Sequence, residues 1–153
     1  MRMSYVIIVI IISSFCLNAQ KPMNLDIIIF INEELVLSGI NNPKIEVLKN
    51  DSEVIEHDVY YHPGNLILDV DKEDLFNDET ISATLKFDFF DAKKEESINY
   101  EIELTENWFL DYYAILHIFN LKCRKYRRRY KPLSEERNYT FEVDSPSHSF
   151  KRL

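Results

Sequence analysis

Short segments rich in Ile, Val, Phe and Tyr are separated by polar turns; several alternate apolar with polar residues, and no long apolar stripe recurs every three or four positions. In Thr80 to Phe90, Ile81, Ala83, Leu85, Phe87 and Phe89 fall on one side and Thr80, Ser82, Thr84, Lys86 and Asp88 on the other. That two-residue period is the mark of a strand with one buried face. Read in the same way, the chain predicts strands at Asp26 to Asn32, Glu34 to Ser38, Lys44 to Lys49, Glu53 to Tyr61, Asn65 to Val70, Thr80 to Phe90, Ser97 to Leu104, Tyr112 to Asn120, Arg124 to Tyr130 and Tyr139 to Val143. Many short strands joined by hairpin-like turns point to an all-β, antiparallel two-layer sandwich, immunoglobulin-like or transthyretin-like. The cysteine and tryptophan spacing of antibody domains is absent, so the analogy carries no function.

The turns divide the chain at consistent places. His62-Pro63-Gly64-Asn65 sets proline where φ is fixed and glycine where φ must be positive, as a type II turn requires. Asp91 to Glu96 should close a hairpin, Asn41-Asn42-Pro43 marks a turn, and Asp71 to Asn77 suits a short helical turn. The tail from Asp144 to Leu153 reads as a loose terminus or a late edge strand.

The N-terminus departs from this pattern. Arg2, the apolar run Val6 to Ile12 and a polar stretch ending at Ala19 have the layout of a secretory signal, with cleavage leaving Gln20 first. A membrane anchor needs about 20 apolar residues, against an unbroken run of 7 here. Lipidation at Cys16 is disfavoured by Phe15, which stands where a small residue is needed. The ending Cys16-Leu17-Asn18-Ala19-Gln20 resembles exported proteins of Gram-negative bacteria, which implies a secreted or periplasmic location and nothing more. The expected organisation is a signal peptide over 1–19 and a single domain over 20–153. Cys123 then remains as the lone cysteine, expected to be buried as a small hydrophobe rather than exposed.

Charge changes the picture most. Residues 20–121 carry 7 Lys against 22 acidic residues, whereas 122–153 carry 10 basic residues against 4 acidic ones. Lys122, Arg124, Lys125, Arg127, Arg128, Arg129 and Lys131 fall within ten consecutive positions. As a strand, this segment would set Lys125, Arg127, Arg129 and Lys131 on one side and Arg124, Tyr126, Arg128 and Tyr130 on the other. Such a face is either neutralised by the protein's own acids, with Glu101 and Glu103 as candidates, or offered to an external anion, which arginine grips bidentately. With Trp108 and Tyr112 just upstream, the candidate partner-binding surface runs from Trp108 to Lys131: Trp108, Tyr112, Arg124, Lys125, Tyr126, Arg127, Arg128, Arg129, Tyr130 and Lys131. Packing is the competing role for Trp108, Phe109, Tyr112 and Tyr113.

Catalytic chemistry has little foothold. His57, His62, His117 and His148 lack metal-site spacing, and His117, aligned with Tyr113, Ile115, Phe119 and Leu121, reads as an interior histidine. Asp69 to Asp74 resembles the start of a calcium loop but lacks its glycine and its closing glutamate. Two glycines in the whole chain leave little for a phosphate-cradling loop. These features lead to the expectation of an exported non-enzymatic binding protein of the bacterial envelope, with no cofactor and no metal. Its partner would be a protein or an anionic envelope component, acidic glycan or lipid headgroup, with membrane contact only peripheral and no nucleic acid. The alternative is an inhibitor or immunity protein that blocks a basic enzyme through its acidic body.

Overall fold

In the first strand, Leu25–Ile31 (β1), burial alternates although Asp26 is the one polar residue: Leu25, Ile27, Ile29 and Ile31 are buried, and Asp26, Ile28 and Phe30 half-buried. The structure, a computed structural model, describes residues 24–132, 134, 137–147 and 149–151. The expectations about the signal segment, its cleavage and Cys16, like His148, lie outside the described residues. After β1 come β2 (Glu34–Leu35), β3 (Ile40–Lys49), β4 (Val54–Asp58), β5 (Tyr60–His62) and β6 (Asn65–Leu68). A short helix α1 (Lys72–Leu75) leads to β7 (Thr80–Asp91) and β8 (Glu96–Leu104). A 3-10 turn (Glu106–Leu110), β9 (Tyr113–Asn120), a second short helix α2 (Arg124–Arg127), β10 (Tyr139–Asp144) and β11 (Ser149–Lys151) complete the order.

The strands form two sheets. One runs β11-β10-β9-β1-β6-β5, with β2 folded back on the end of β1, and the other runs β4-β3-β7-β8. The second is antiparallel throughout, but the first is mixed, because β1 pairs in parallel with β9 from Asp26↔Tyr113 to Ile31↔Ile118. The wholly antiparallel expectation is therefore corrected: local hairpin logic cannot foresee an early strand meeting a late one. Ile27, Ile29, Leu66, Leu116 and Phe141 of the first sheet share one buried cluster with Ile45, Val47, Leu85, Phe87 and Ile102 of the second. This common core drives the fold, since each large apolar side chain removed from water contributes about 1.5–3 kcal/mol.

Three further expectations are corrected. The segment Glu53 to Tyr61 is two strands in different sheets, β4 beside β3 and β5 beside β6, with buried Val59 at the crossing. Asn41-Asn42-Pro43 is an irregularity within β3, where the register against β7 shifts between Asn41 and Lys44 and Asn42 takes φ 50°. In β9 the core face is Ala114, Leu116 and Ile118, so His117 lies half-buried on the opposite face. A strand flanked on both sides is apolar on both faces, and alternation alone does not say which face meets the other sheet. Both the hairpin at Asp91↔Glu96 and the turn between His62 and Asn65, with Gly64 at φ 101°, lie where the sequence puts them.

A side-chain clip joins the two sheets along one side. The Glu101 N–H of β8 donates to the Tyr139 hydroxyl at 2.8 Å, and that hydroxyl donates to the Glu101 carbonyl at 3.0 Å. These are outward-facing groups of an edge strand, so the clip also shields them from pairing with another chain. Arg137 closes on the Glu101 carboxylate at 2.6 Å. Next to Tyr139, the fully buried Tyr100 hydroxyl has no hydrogen-bond partner among the described residues, and burial raises its pKa far above the ordinary phenol value. The two tyrosines should therefore respond oppositely to loss of the hydroxyl. Tyr139→Phe should cost about 1–2 kcal/mol, while Tyr100→Phe should be neutral or stabilising, since it removes a buried polar group that gains nothing by being there. Urea unfolding midpoints of the two variants measure the contrast.

Candidate functional site

The basic segment is not a strand. Tyr126 and Arg127 N–H groups donate to the Cys123 carbonyl, Arg128 to Arg124, and Tyr130 to Tyr126, so the chain makes a helical turn around α2 and continues it past Arg128. The cause is the spacing of the two tyrosines. Four residues apart, they share a helical side, and both are buried against Phe119 and Leu121 in a cluster separate from the main core. Tyr130 stacks on Phe119 with centroids 4.6 Å apart, and Tyr126 leans on it at 5.2 Å. Phe119 belongs to the outer face of β9, where His117 stacks on Phe30 at 5.1 Å. The basic turn is thus anchored on the outer face of the first sheet by aromatic packing, while its cations remain at the surface.

Helical geometry divides those cations differently from a strand. Lys125 is bonded to Glu33 at 2.6 Å, and the Arg129 guanidinium sits 5.3 Å from the Tyr130 ring centroid. The Lys125 hydrogen bond, together with the charges of Lys125 and Arg129, holds the Glu33 carboxyl below the usual carboxylate range. Arg124, Arg127 and Arg128, at i, i+3 and i+4, share another side; all three are exposed, and none ion-pairs among the described residues. Lys131 is likewise exposed and free of an ion pair among the described residues. Internal neutralisation is therefore partial. Lys122 pairs with Glu96 at 2.8 Å and Lys125 with Glu33, whereas Glu101 is bound to Lys86 and Arg137.

Several nominated residues do not reach this surface. Trp108 is buried in the main core through the 3-10 turn, and Tyr126 and Tyr130 are buried under the basic turn, so packing accounts for all three. Tyr112 is 67% exposed, and it lies beside Tyr113 at the start of β9, whereas α2 follows the strand's end. The nominated set therefore separates, leaving Arg124, Lys125, Arg127, Arg128, Arg129 and Lys131 together. Cys123, expected to be buried, is exposed because it is the residue that opens the surface turn.

No protein-family model, curated protein or solved structure matches this chain.

The function must then be read from the surfaces themselves. Among the described residues, no group of three or more His, Cys, Asp or Glu side chains is placed to hold a metal ion. An open groove of about 320 Å³ separates β8 from the β9–β10 side, lined by Asn99, Tyr100, Asn120, Lys122, Arg137 and Tyr139. Its cations are already committed to Glu96 and Glu101. Among the described residues, the basic turn keeps Arg124, Arg127, Arg128 and Lys131 without an ion-pair partner. Sequence reading missed its geometry, although the signal was present: Tyr126 and Tyr130 sit at a helical interval, and Phe119 and Leu121 provide a second apolar patch for them to cover.

Proposed function

We propose that this chain is an exported, non-enzymatic binding protein of the bacterial envelope that engages an anionic partner through the turn Lys122 to Lys131. Its frame is a two-layer sandwich of the immunoglobulin-like or transthyretin-like kind. One observation carries the reading: Arg124, Arg127 and Arg128 are held on one side of an anchored turn, exposed and without an ion-pair partner among the described residues. Like charges held together in this way cost free energy unless an anion meets them, and guanidinium groups suit carboxylate or phosphate.

The test is capture from native envelope extract with the chain as recovered from cells, at low and high salt. Wild type should retain an envelope component that is lost at high salt and lost with Arg124→Ser, Arg127→Ser and Arg128→Ser combined. A component still captured by that variant would remove the basic turn from the function. A second reading is favoured by the loop 69–79, which exposes Asp69, Asp71, Glu73, Asp74, Asp78 and Glu79 against the single cation Lys72. There the chain would block a basic enzyme, and capture would survive the arginine changes but fail with Glu73→Lys and Asp74→Lys.

A further inference from the structure

The charged surfaces lie at opposite ends of the sheets. The parallel strands β1 and β9 both finish at the end that carries α2, while Leu68 of β6, which leads into the acidic loop, pairs with Leu25 at the start of β1. Seven residues of strand separate the ends by about 20 Å, well beyond the ~8 Å Debye length at physiological salt. The acids of loop 69–79 therefore do not neutralise the arginines of their own molecule.

The basic end also carries apolar surface. Leu35, Leu37 and Phe90 are 44%, 58% and 45% exposed and line an open groove of about 480 Å³ between the β2–β3 connection and the β7–β8 hairpin. Gly39 makes that closeness feasible: at φ 92° its carbonyl accepts from the Phe90 N–H, and a Cβ there would sit 2.7 Å from the Phe90 carbonyl oxygen. The groove and the basic turn are contiguous through ion pairs, Lys125 to Glu33 and the neighbouring Glu34 to Lys93. At this end Lys93, Lys94, Lys122 and Lys125 are each matched by a carboxylate, Glu34, Asp91, Glu96 and Glu33 in turn. Arg124, Arg127, Arg128 and Lys131 have no ion pair among the described residues. Exposed Leu110 and Tyr112 lie toward the other end, where the acidic loop would repel an anionic surface.

We infer that the anionic partner is a lipid surface, which the chain meets end-on, Arg124, Arg127 and Arg128 engaging headgroups while Leu35, Leu37 and Phe90 enter the acyl boundary. This rests on the proposed binding role of the basic turn and adds the identity of what is bound. A soluble polyanion would satisfy the arginines but leave the apolar groove in water. An anionic bilayer satisfies both, and the acidic far end turns away from it, fixing one orientation.

The experiment is sedimentation with phosphatidylcholine vesicles, with and without about 30% phosphatidylglycerol, using the chain as recovered from cells with the same N-terminus in every variant. Binding should require phosphatidylglycerol. The combined Arg124→Ser, Arg127→Ser and Arg128→Ser variant should bind roughly a hundredfold more weakly, at about tenfold or less per arginine. Leu35→Ser, Leu37→Ser and Phe90→Ser together should weaken binding roughly tenfold and keep its salt dependence. Should that variant unfold, Leu37→Trp in the otherwise native chain should shift its emission to the blue on anionic vesicles only. Equal binding to neutral vesicles, unchanged binding of a folded apolar variant, or an emission that does not move in the Leu37→Trp variant would each overturn the inference. Sedimentation without vesicles, lost on reversing the acidic loop with Glu73→Lys and Asp74→Lys, would instead assign the surface to a second copy of the chain. If vesicles fail while salt-sensitive capture from envelope extract persists, the partner is not lipid and the binding role of the turn stands.

Discussion

Replacing Tyr126 and Tyr130 together by alanine is expected to free the basic turn from the sheet and to abolish binding without altering a single charge. Both rings are buried on Phe119 and Leu121, and among the described residues these four make up that second cluster. Burying one aromatic side chain fully is typically reflected in a loss of about 3–5 kcal/mol on truncation to alanine. The pair together should cost about that much, because the cluster is small and lies under a surface turn. Released from the sheet, the segment no longer holds Arg124, Arg127 and Arg128 on one side, and ordering them again opposes binding. Tyr126→Phe with Tyr130→Phe should keep both stacking contacts and most of the affinity. Urea unfolding together with binding of the two double variants checks this. Retained binding in the folded alanine variant would mean that net charge alone suffices.

Phe87→Ala should have a comparable effect on the main core, about 3–5 kcal/mol, and it tests whether the two sheets stand or fall together. Phe87 lies in β7 of the second sheet, fully buried, 5.5 Å from the Tyr100 ring, and Tyr100 in turn meets Tyr139 of the first sheet at 4.9 Å. Trp108, the chain's single tryptophan, is buried in the same cluster and reports on it by fluorescence. Fluorescence and far-ultraviolet dichroism should give one coincident transition, shifted to lower urea. Two separated transitions would show that each sheet has a core of its own.

The strand-rich character of the fold was legible because β7 and β8 occur where polar and apolar residues interleave, β1 is a short apolar run, and the turns at Pro63-Gly64 and Asp91 to Glu96 follow from residue chemistry. What was not legible depended on contacts distant in sequence. The parallel pairing of β1 with β9 joins segments nearly ninety residues apart, as in Ile31↔Ile118. The inward face of β9 is decided by the second sheet, not by its own residues, whose larger side chains Phe119 and Tyr113 lie on the other face. The division of Glu53 to Tyr61 at Val59 is invisible to a pattern that stays β throughout.

The candidate site was located by its charge but misread in shape. Seven cations in ten residues could be counted directly. A strand period assigned Arg127, Arg129 and Lys131 to one face, whereas the tyrosine interval makes the segment helical and groups Arg124, Arg127 and Arg128. The competing signals were the β character of the surroundings and the i, i+4 aromatic pair, and the pair wins because Phe119 and Leu121 give it something to pack on.

This difference allows the shape of the site to be tested apart from its charge. Binding to vesicles containing phosphatidylglycerol, the proposed anionic surface, measured side by side for Arg124→Ser/Arg127→Ser/Arg128→Ser and for Arg127→Ser/Arg129→Ser/Lys131→Ser, compares two variants that each lose three positive charges. The anchored helical turn predicts that the first set loses much more affinity than the second. Equal losses, or a larger loss from the second, would contradict it.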